Sequence, residues 1–416
     1  MTEPIPLVGR GPLWRRMLGF TLLPAIAAVS PLLVLPFLAR VAGPGGWASA
    51  IAGEAVGTFA AIAIGYGWSA IGPALISIAR DDAHRAELYR ESLVIRIAIA
   101  VLALPVMGIA CWLIASPGSQ WLSVLMGTQG ALIALSFTWY SAGVGDPRAI
   151  VVYDAVPRLF AAAASALLIA NFGFVELYPL AGIAVTLVGT FFFTARILRR
   201  NPGPWPRARD LPRLFRSGAP VALNDAALGA YSSIPAPLVN VTSPVIPAAG
   251  FASADKMLKL GQFLPLTLAN ALQAWIAEAS GAARGRRMRL AIASHAGFGL
   301  LGCAVLTLAG PWVSALLFGA EAAAGIDVLL AMGIVFAFFS LRTSLSRHVL
   351  FAAGQATTVM RATLWSSAIG VPVMVALALI FGPVGAAAGY AFTEVAATVL
   401  LVRRSWRALR SVERAQ

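Results

Sequence analysis

Residues 250–266, GFASADKMLKLGQFLPL, place charged side chains in a run that is otherwise apolar. The run holds both lysines of the chain, Lys256 and Lys259. At helical spacing these residues begin a polar stripe on one helix face, which comprises Asp255, Lys259, Gln262, Asn270 and Gln273. Ammonium and amide groups on one face can bind an anion such as a phosphate group. A charge at the centre of a bilayer costs about 2.5–3.5 kcal/mol, so we expect the stripe to face a protein interior or a watered cavity.

A simpler interpretation of the same residues stays open. Asp255 and Lys259 are spaced i, i+4 and can form an ion pair on the helix surface. Lys256 can then extend its ammonium group to lipid headgroups, so that all three charges only anchor the helix. This interpretation leaves unexplained why polar residues continue beyond Pro265.

Other charged residues also lie inside apolar runs. Arg40 and Arg342 are candidate cations for binding an anion, although Arg40 can equally complement the C-terminal end of its helix. Three acids have no obvious local partner: Glu54, Asp225 and Glu394. An acid in a proline-broken span can bind and release a proton or a sodium ion, so Asp225 with Asn224 is the preferred candidate for ion coupling. Glu54 lies in GEAVG, where close helix packing is an alternative.

Recognisable catalytic motifs are missing from the sequence. The motifs HExxH, GxSxG and Walker A do not occur, and the three histidines are scattered along the chain. The nearest acidic pair, Asp81-Asp82, lies among basic residues, as in a solvated loop. We therefore expect a protein that is not an enzyme and that needs no metal or organic cofactor.

The composition requires a membrane around these residues. Of the 416 residues, 59% are hydrophobic and 12% are charged, and the mean hydropathy is +0.82. This leaves too little polar surface to cover a water-soluble globule. A bilayer-spanning helix needs roughly 20 apolar residues. We predict an all-α, multi-pass protein of about twelve spans, near 17–39, 48–76, 91–115, 121–143, 150–170, 178–198, 217–239, 249–278, 290–310, 326–348, 362–381 and 385–402.

The arginines predict the orientation of these spans. Nearly all of them fall in alternate connecting segments, and Arg40 is the exception. Because basic residues near span ends are retained in the cytoplasm, these segments and both termini are predicted to be cytoplasmic. The net charge of +14 is then a consequence of topology, so nucleic acid is not an expected partner.

The chain also shows signs of an internal repeat. GWASA at 46–50 returns as GFASA at 250–254, about half the chain length later, and each copy follows a proline-interrupted run. Broken segments at corresponding places in two halves are typical of transporters whose site lies between the repeats. We predict a six-helix lobe at 1–200, a cytoplasmic linker at 201–212 and a second six-helix lobe at 213–416, arranged around a central cavity.

Several stretches resemble bacterial polysaccharide flippases of the Wzx type, within the multidrug/oligosaccharidyl-lipid/polysaccharide (MOP) superfamily. They are LPFLARVAGPGGWASA, GYGWSAIGPALISIAR, AAGFASADKMLKLGQFLPLTLANALQAWIAE, LLFGAEAAAGIDVLLAMG and FGPVGAAAGYAFTEVAATVLL. The resemblance implies a flippase of the bacterial cytoplasmic membrane that moves polyprenyl-diphosphate-linked oligosaccharide by alternating access, for surface polysaccharide biosynthesis. It also implies membrane lipids and the polysaccharide assembly machinery as partners.

A dianionic headgroup leaving water needs cations along its route, so Lys256, Lys259, Arg40 and Arg342 are the expected headgroup-binding residues. The coupling ion would be H⁺ or Na⁺. Two alternatives stay open. An antiporter of the MATE branch for drugs or metabolites would favour an acid-dominated cavity, and a non-transporting membrane scaffold would use the polar stripe for packing only.

The orientation is testable with reporter fusions. Because of the arginine asymmetry, fusions at 171–177 and 311–325 are expected to report an external location, and fusions at 201–212 and 281–288 a cytoplasmic one. A single connection that reports the opposite side would invalidate the twelve-span topology.

Overall fold

The computed structural model describes the backbone of residues 13–414. It describes the side chains of these residues except at 13–29, 208, 211, 214, 217, 218, 220, 223, 224, 227, 228, 274, 413 and 414. Every regular element in this part of the chain is helical, so the all-α prediction is confirmed.

Eight helices in the described residues are long and apolar enough to cross a membrane. Two of them contain a glycine with non-helical angles, Gly43 (φ 67°) and Gly382 (φ 60°), and each therefore comprises two spans. Ser30 and Glu54 line one cavity, whereas a straight helix between them would be about 36 Å long, so the chain reverses at Gly43. The helical segments 211–242 and 245–277 bring the number of spans to the predicted twelve.

We number the spans in chain order. They are α1 (13–42), α2 (44–65, extended by Trp68–Ser77), α3 (Asp82–Ile114), α4 (Gln120–Val144), α5 (Pro147–Phe172), α6 (Leu177–Arg200), α7 (211–242), α8 (245–277), α9 (Gly281–Leu308), α10 (Ile326–Leu350), α11 (356–381) and α12 (383–414). A short helix, Gly310–Phe318, lies between α9 and α10. We call α1–α6 the first lobe and α7–α12 the second lobe.

The two reversals have the same local cause. Glycine adopts a positive φ without the strain that a side chain would add, and it does so at Gly43 and Gly382. A proline follows each glycine, Pro44 and Pro383, and its fixed φ suits the first turn of the next helix.

Small residues set how closely α2 and α4 pack. A Cβ atom on Gly53 would lie 2.2 Å from the Ser123 carbonyl oxygen, and one on Gly57 would lie 2.0 Å from the Gly127 carbonyl oxygen. The backbones of α2 and α4 therefore touch, as small-xxx-small motifs allow in membranes. Both glycines of GEAVG serve packing, while Glu54 between them lines the cavity described below.

The repeated motifs meet at one end of the molecule, which we call the Gly43 end. The Trp47 indole Nε1 donates a hydrogen bond to the Ser253 hydroxyl at 2.9 Å, and the Trp47 ring stacks on Phe318 at 4.8 Å. Asn240 of α7 donates to the Ile114 carbonyl of α3 at 2.7 Å. These contacts join the two lobes at this end.

The serines of the two motifs have equivalent positions in their lobes. Ser49 accepts a hydrogen bond from the Ser116 backbone N–H, in the connection after α3. Ser253 donates to the Ala322 carbonyl, in the connection after α9. Each serine thus ties the second span of its lobe to the connection that follows the third, which is the relation expected of two repeats.

The opposite end, which we call the arginine-rich end, carries the basic connections. There the Tyr66 hydroxyl at the end of α2 donates to the Phe215 carbonyl in α7 at 2.9 Å, and the two rings meet edge to face. The lobes therefore touch at both ends, with a cavity between.

Candidate functional site

A cavity of about 540 Å³ lies between the lobes. Five spans of the first lobe line it, namely α1, α2, α4, α5 and α6, and α8 closes it from the second lobe. The charged residues of its lining are Glu54, Asp154, Arg158, Lys256 and Lys259. Gln129, Thr58 and Tyr178 add polar groups, while Phe263 and Leu260 add apolar surface.

An ion pair crosses this cavity from one lobe to the other. The Lys256 ammonium of α8 lies 2.7 Å from both carboxylate oxygens of Glu54 on α2. The Lys256 side chain is 8% exposed and that of Glu54 is 33% exposed. Lys256 therefore does not extend to lipid headgroups in this conformation, because a carboxylate of the other lobe holds it.

A second pair lies one turn further along α8. The Lys259 ammonium is 2.7 Å from Asp255 Oδ2, at i, i+4 spacing. Asp255 is fully buried, and its Oδ1 has no hydrogen-bond partner among the described residues. The simple i, i+4 interpretation of these residues is thus present in the structure, yet Lys259 also lines the cavity.

A third pair, which was not predicted from the sequence, is formed by Asp154 and Arg158 of α5. Arg158 Nη2 lies 2.5 Å from Asp154 Oδ1 and 3.3 Å from the Thr186 hydroxyl of α6. Asp154 lies in a π-helical turn, Val151–Ala155, a feature that is frequent at functional sites. The signal that could have identified this pair is the i, i+4 spacing of an acid and a cation within an apolar run.

The cavity lining therefore combines three cations with two acids. Each cation contacts a carboxylate: Lys256 contacts Glu54, Arg158 contacts Asp154, and Lys259 contacts Asp255. Asp255 is buried and does not itself line the cavity. Because a charge is costly in a low-dielectric interior, each pairing offsets part of the cost of placing these charges around the cavity.

Arg342 and Glu394 lie together elsewhere, inside the second lobe. Arg342 Nε is 2.8 Å from Glu394 Oε2, and Nη2 is 3.1 Å from Oε1. The Tyr231 hydroxyl donates to the same carboxylate at 3.0 Å. Neither Arg342 nor Glu394 lines the cavity. Glu54 and Glu394, which have no obvious local partner in the sequence, are paired with residues that are distant along the chain.

The remaining predicted residues are dispersed. Arg40 donates to the Leu316 carbonyl at the Gly43 end. Gln262 lies near the Tyr390 side chain, whereas Asn270 accepts from Arg347 at 2.6 Å.

Gln273 lines a second cavity at the arginine-rich end, so the predicted polar stripe does not face one cavity along its whole length. Asp225 has an interaction partner, and the side chain of Asn224 lies outside the described residues. In the described part of the chain, no three His, Cys, Asp or Glu side chains are grouped as metal ligands.

Comparison with known proteins identifies the fold. No protein-family model matches the chain. The inward-facing structure of a multidrug resistance MATE family transporter of the MOP superfamily superposes with a TM-score of 0.65 at 17% identity, covering 94% of this chain and 99% of that one. The lipid II flippase MurJ, in an inward closed conformation, gives a TM-score of 0.67 at 11% identity, covering 96% and 90%.

The chain has the fold of the MOP superfamily. A sequence relative points the same way: the "Putative O-antigen transporter" of Shigella dysenteriae is 19% identical over 379 residues, which are 90% of this chain and 95% of the relative. The predicted resemblance to the MOP superfamily is confirmed by the shared fold.

The pair between the lobes can be tested by exchanging its charges. Glu54→Lys and Lys256→Glu each place two like charges in the cavity, so each single variant is expected to lower the melting temperature of the purified protein. The double variant should recover most of the loss, with a coupling energy of about 0.5–3 kcal/mol. The exposed pair Asp82 and Arg85, exchanged in the same way, is the control and should show about 0–1 kcal/mol. Additive effects at Glu54 and Lys256 would show that the pair contributes nothing.

Proposed function

We propose that this protein flips a polyprenyl-diphosphate-linked oligosaccharide across the bacterial cytoplasmic membrane by alternating access of its two lobes. The observation that carries the proposal is the inter-lobe cavity in which Lys256 and Lys259 are held by carboxylates. The O-antigen transporter relative and the shared fold with a lipid II flippase support the substrate class.

The diphosphate would enter by exchanging partners with the cavity carboxylates. Phosphate oxygens and carboxylate oxygens both accept charge-assisted hydrogen bonds from an ammonium group, so the exchange keeps Lys256 and Lys259 paired. Glu54 is one-third exposed and can be rehydrated when it is displaced, whereas Asp255 is fully buried. Lys256 is therefore the cation that a headgroup would capture more easily.

Capture of Lys256 would also act on the conformation. The Lys256–Glu54 pair joins α8 of the second lobe to α2 of the first. A ligand shifts a conformational equilibrium only through a difference in affinity between the two states. A diphosphate that replaces Glu54 removes an inter-lobe bond as it binds, so it would favour the state in which the lobes are separated.

The sugar chain and the lipid tail would follow different routes. A cavity of about 540 Å³ has the size of a small-molecule site and fits the headgroup, while the oligosaccharide needs the lumen that opens when the lobes separate. The polyprenyl tail would stay in the bilayer between the lobes.

Ion coupling belongs to the same proposal. Asp225 with Asn224 is the proposed site of H⁺ or Na⁺ exchange, followed by Glu54 and Glu394. Glu54 gains support from its position, because it lines the cavity and would be released when a headgroup binds Lys256. Arg40 and Arg342 are proposed to attract the headgroup only in a conformation that frees them from their present partners, Leu316 and Glu394.

A multidrug or metabolite antiporter is the second candidate, because the fold is shared with a MATE family transporter. A cationic substrate would be attracted by a cavity in which acids predominate. The lining has three cations and two acids, so acids do not predominate in it.

The proposal predicts that flipping needs the positive charge of both lysines. In proteoliposomes with a fluorescent polyprenyl-diphosphate oligosaccharide, Lys259→Gln and Lys256→Gln should each lower the flipping rate per folded molecule by about tenfold, which corresponds to about 1.4 kcal/mol. Lys259→Arg should keep much of the rate, since phosphate accepts either cation with some loss from geometry. Equal rates for the wild type and all three variants would exclude both lysines from cargo binding.

A further inference from the structure

A second cavity, of about 260 Å³, lies at the arginine-rich end within the second lobe. The end of α8, the start of α9 and the end of α10 enclose it. Its charged or titratable lining residues are Arg284, Arg347 and His348, and no carboxylate lines it among the described residues. This distinguishes it from the inter-lobe cavity, where every cation contacts an acid.

Arg284 lacks both an acidic partner and a hydrogen-bond acceptor for its Nε among the described residues. Its Nε is buried without a hydrogen-bond partner, and its side chain makes no ion pair within the described part of the chain. The nearby acid Glu278 lies 3.7 Å from Arg287 instead. A guanidinium that is partly withdrawn from water and has no anion beside it is destabilising, so an anionic ligand would stabilise this region.

Arg347 adds a second cation to the same cavity. It lies in a π-helical turn at the end of α10, Leu345–Leu350, and donates to the Asn270 amide oxygen at 2.6 Å. That bond orients the guanidinium without neutralising it. His348, in the same turn, also lines the cavity. Both of its ring nitrogens already have hydrogen-bond partners, the Ser344 hydroxyl and the Ala269 carbonyl.

The exposed part of the cavity lining is mostly apolar, in contrast to the cations inside. Phe351 is 49% exposed, and the lining residues Ala277, Ala352 and Gln273 are also exposed, so three of the four exposed lining residues are apolar. Cations in the cavity and apolar surface at its mouth match a molecule that has a phosphate group at one end and hydrocarbon at the other. Basic pockets between spans on the cytoplasmic side of membrane proteins bind anionic lipid headgroups.

We propose that Arg284 and Arg347 bind the phosphate group of an anionic membrane lipid in this cavity, with the acyl chains lying along Phe351. The site lies on the second lobe alone and is separate from the inter-lobe cavity. It would keep the ends of α8, α9 and α10 together while the lobes move, and it does not depend on which cargo the protein carries.

Native mass spectrometry of the purified full-length protein tests this proposal, with phosphatidylglycerol, phosphatidylcholine or inorganic phosphate added to the delipidated sample. We expect phosphatidylglycerol to bind, phosphatidylcholine to bind at least fivefold more weakly, and equimolar inorganic phosphate not to displace the bound lipid. Arg284→Gln should weaken phosphatidylglycerol binding at least fivefold. Because Arg284 makes no ion pair among the described residues, its loss should not lower the melting temperature without lipid.

Arg361→Gln is the matched control, because Arg361 is an exposed arginine at the same end. It should bind phosphatidylglycerol as the wild type does. Equal binding by the wild type and Arg284→Gln would overturn the proposal, as would displacement of the lipid by inorganic phosphate, which would identify a site for the free ion. The readout is binding, so either result leaves the proposed transport function to its own test.

Discussion

The ion pair between Lys256 and Glu54 is the interaction on which the rest of this structure depends. A lysine in the interior of a membrane protein must have a partner, because the free-energy cost of an unpaired buried charge is larger than the stabilisation that most single contacts provide. Its partner is supplied by the other lobe, 202 residues away in the sequence. The pair therefore offsets part of the cost of burying the Lys256 charge. In the proposed transport cycle it would also couple the binding of cargo to the distance between the lobes.

The surrounding helices explain why the pair can form at that place. Gly53 and Gly57 bring α2 against α4, so that Glu54 between them is directed to the cavity side. On the other lobe, α8 consists of two helices, Val245–Gly261 and Phe263–Ala277, and Lys256 and Lys259 belong to the first of them. Trp47 and Ser253, from the repeated motifs, join the lobes on the Gly43 side of the pair. Packing of small residues thus positions the charges, and the charges then join the lobes.

Much of the fold followed from the sequence, because span length and proline–glycine reversals are local properties. The all-α class and the twelve spans were predicted in this way, and the superfamily was suggested by the resemblance of several stretches to known flippases. Partners were harder to predict: Glu54 and Glu394 looked unpaired because periodicity along one span carries no information about a span 52 or 202 residues away. The polar stripe was extended too far, since Asn270 contacts Arg347 and Gln273 lines the second cavity, whereas Lys259 lines the first. Asp154 and Arg158 were missed although their i, i+4 spacing was visible.

Movement of the lobes about the cavity is the central claim of this account, and it can be tested by joining them at the Gly43 end. In a variant with Cys111 and Cys303 replaced by Ser, cysteines at Asn240 and Ile114 would link the lobes through a short bifunctional thiol reagent, since the Asn240 amide lies 2.7 Å from the Ile114 carbonyl. Cysteines at Ser49 and Ser116, which are in contact within the first lobe, provide the control. The account predicts that linking 114 to 240 abolishes flipping of the lipid-linked oligosaccharide, while linking 49 to 116 leaves it unchanged. Undiminished flipping by the protein linked at 114 and 240 would contradict it.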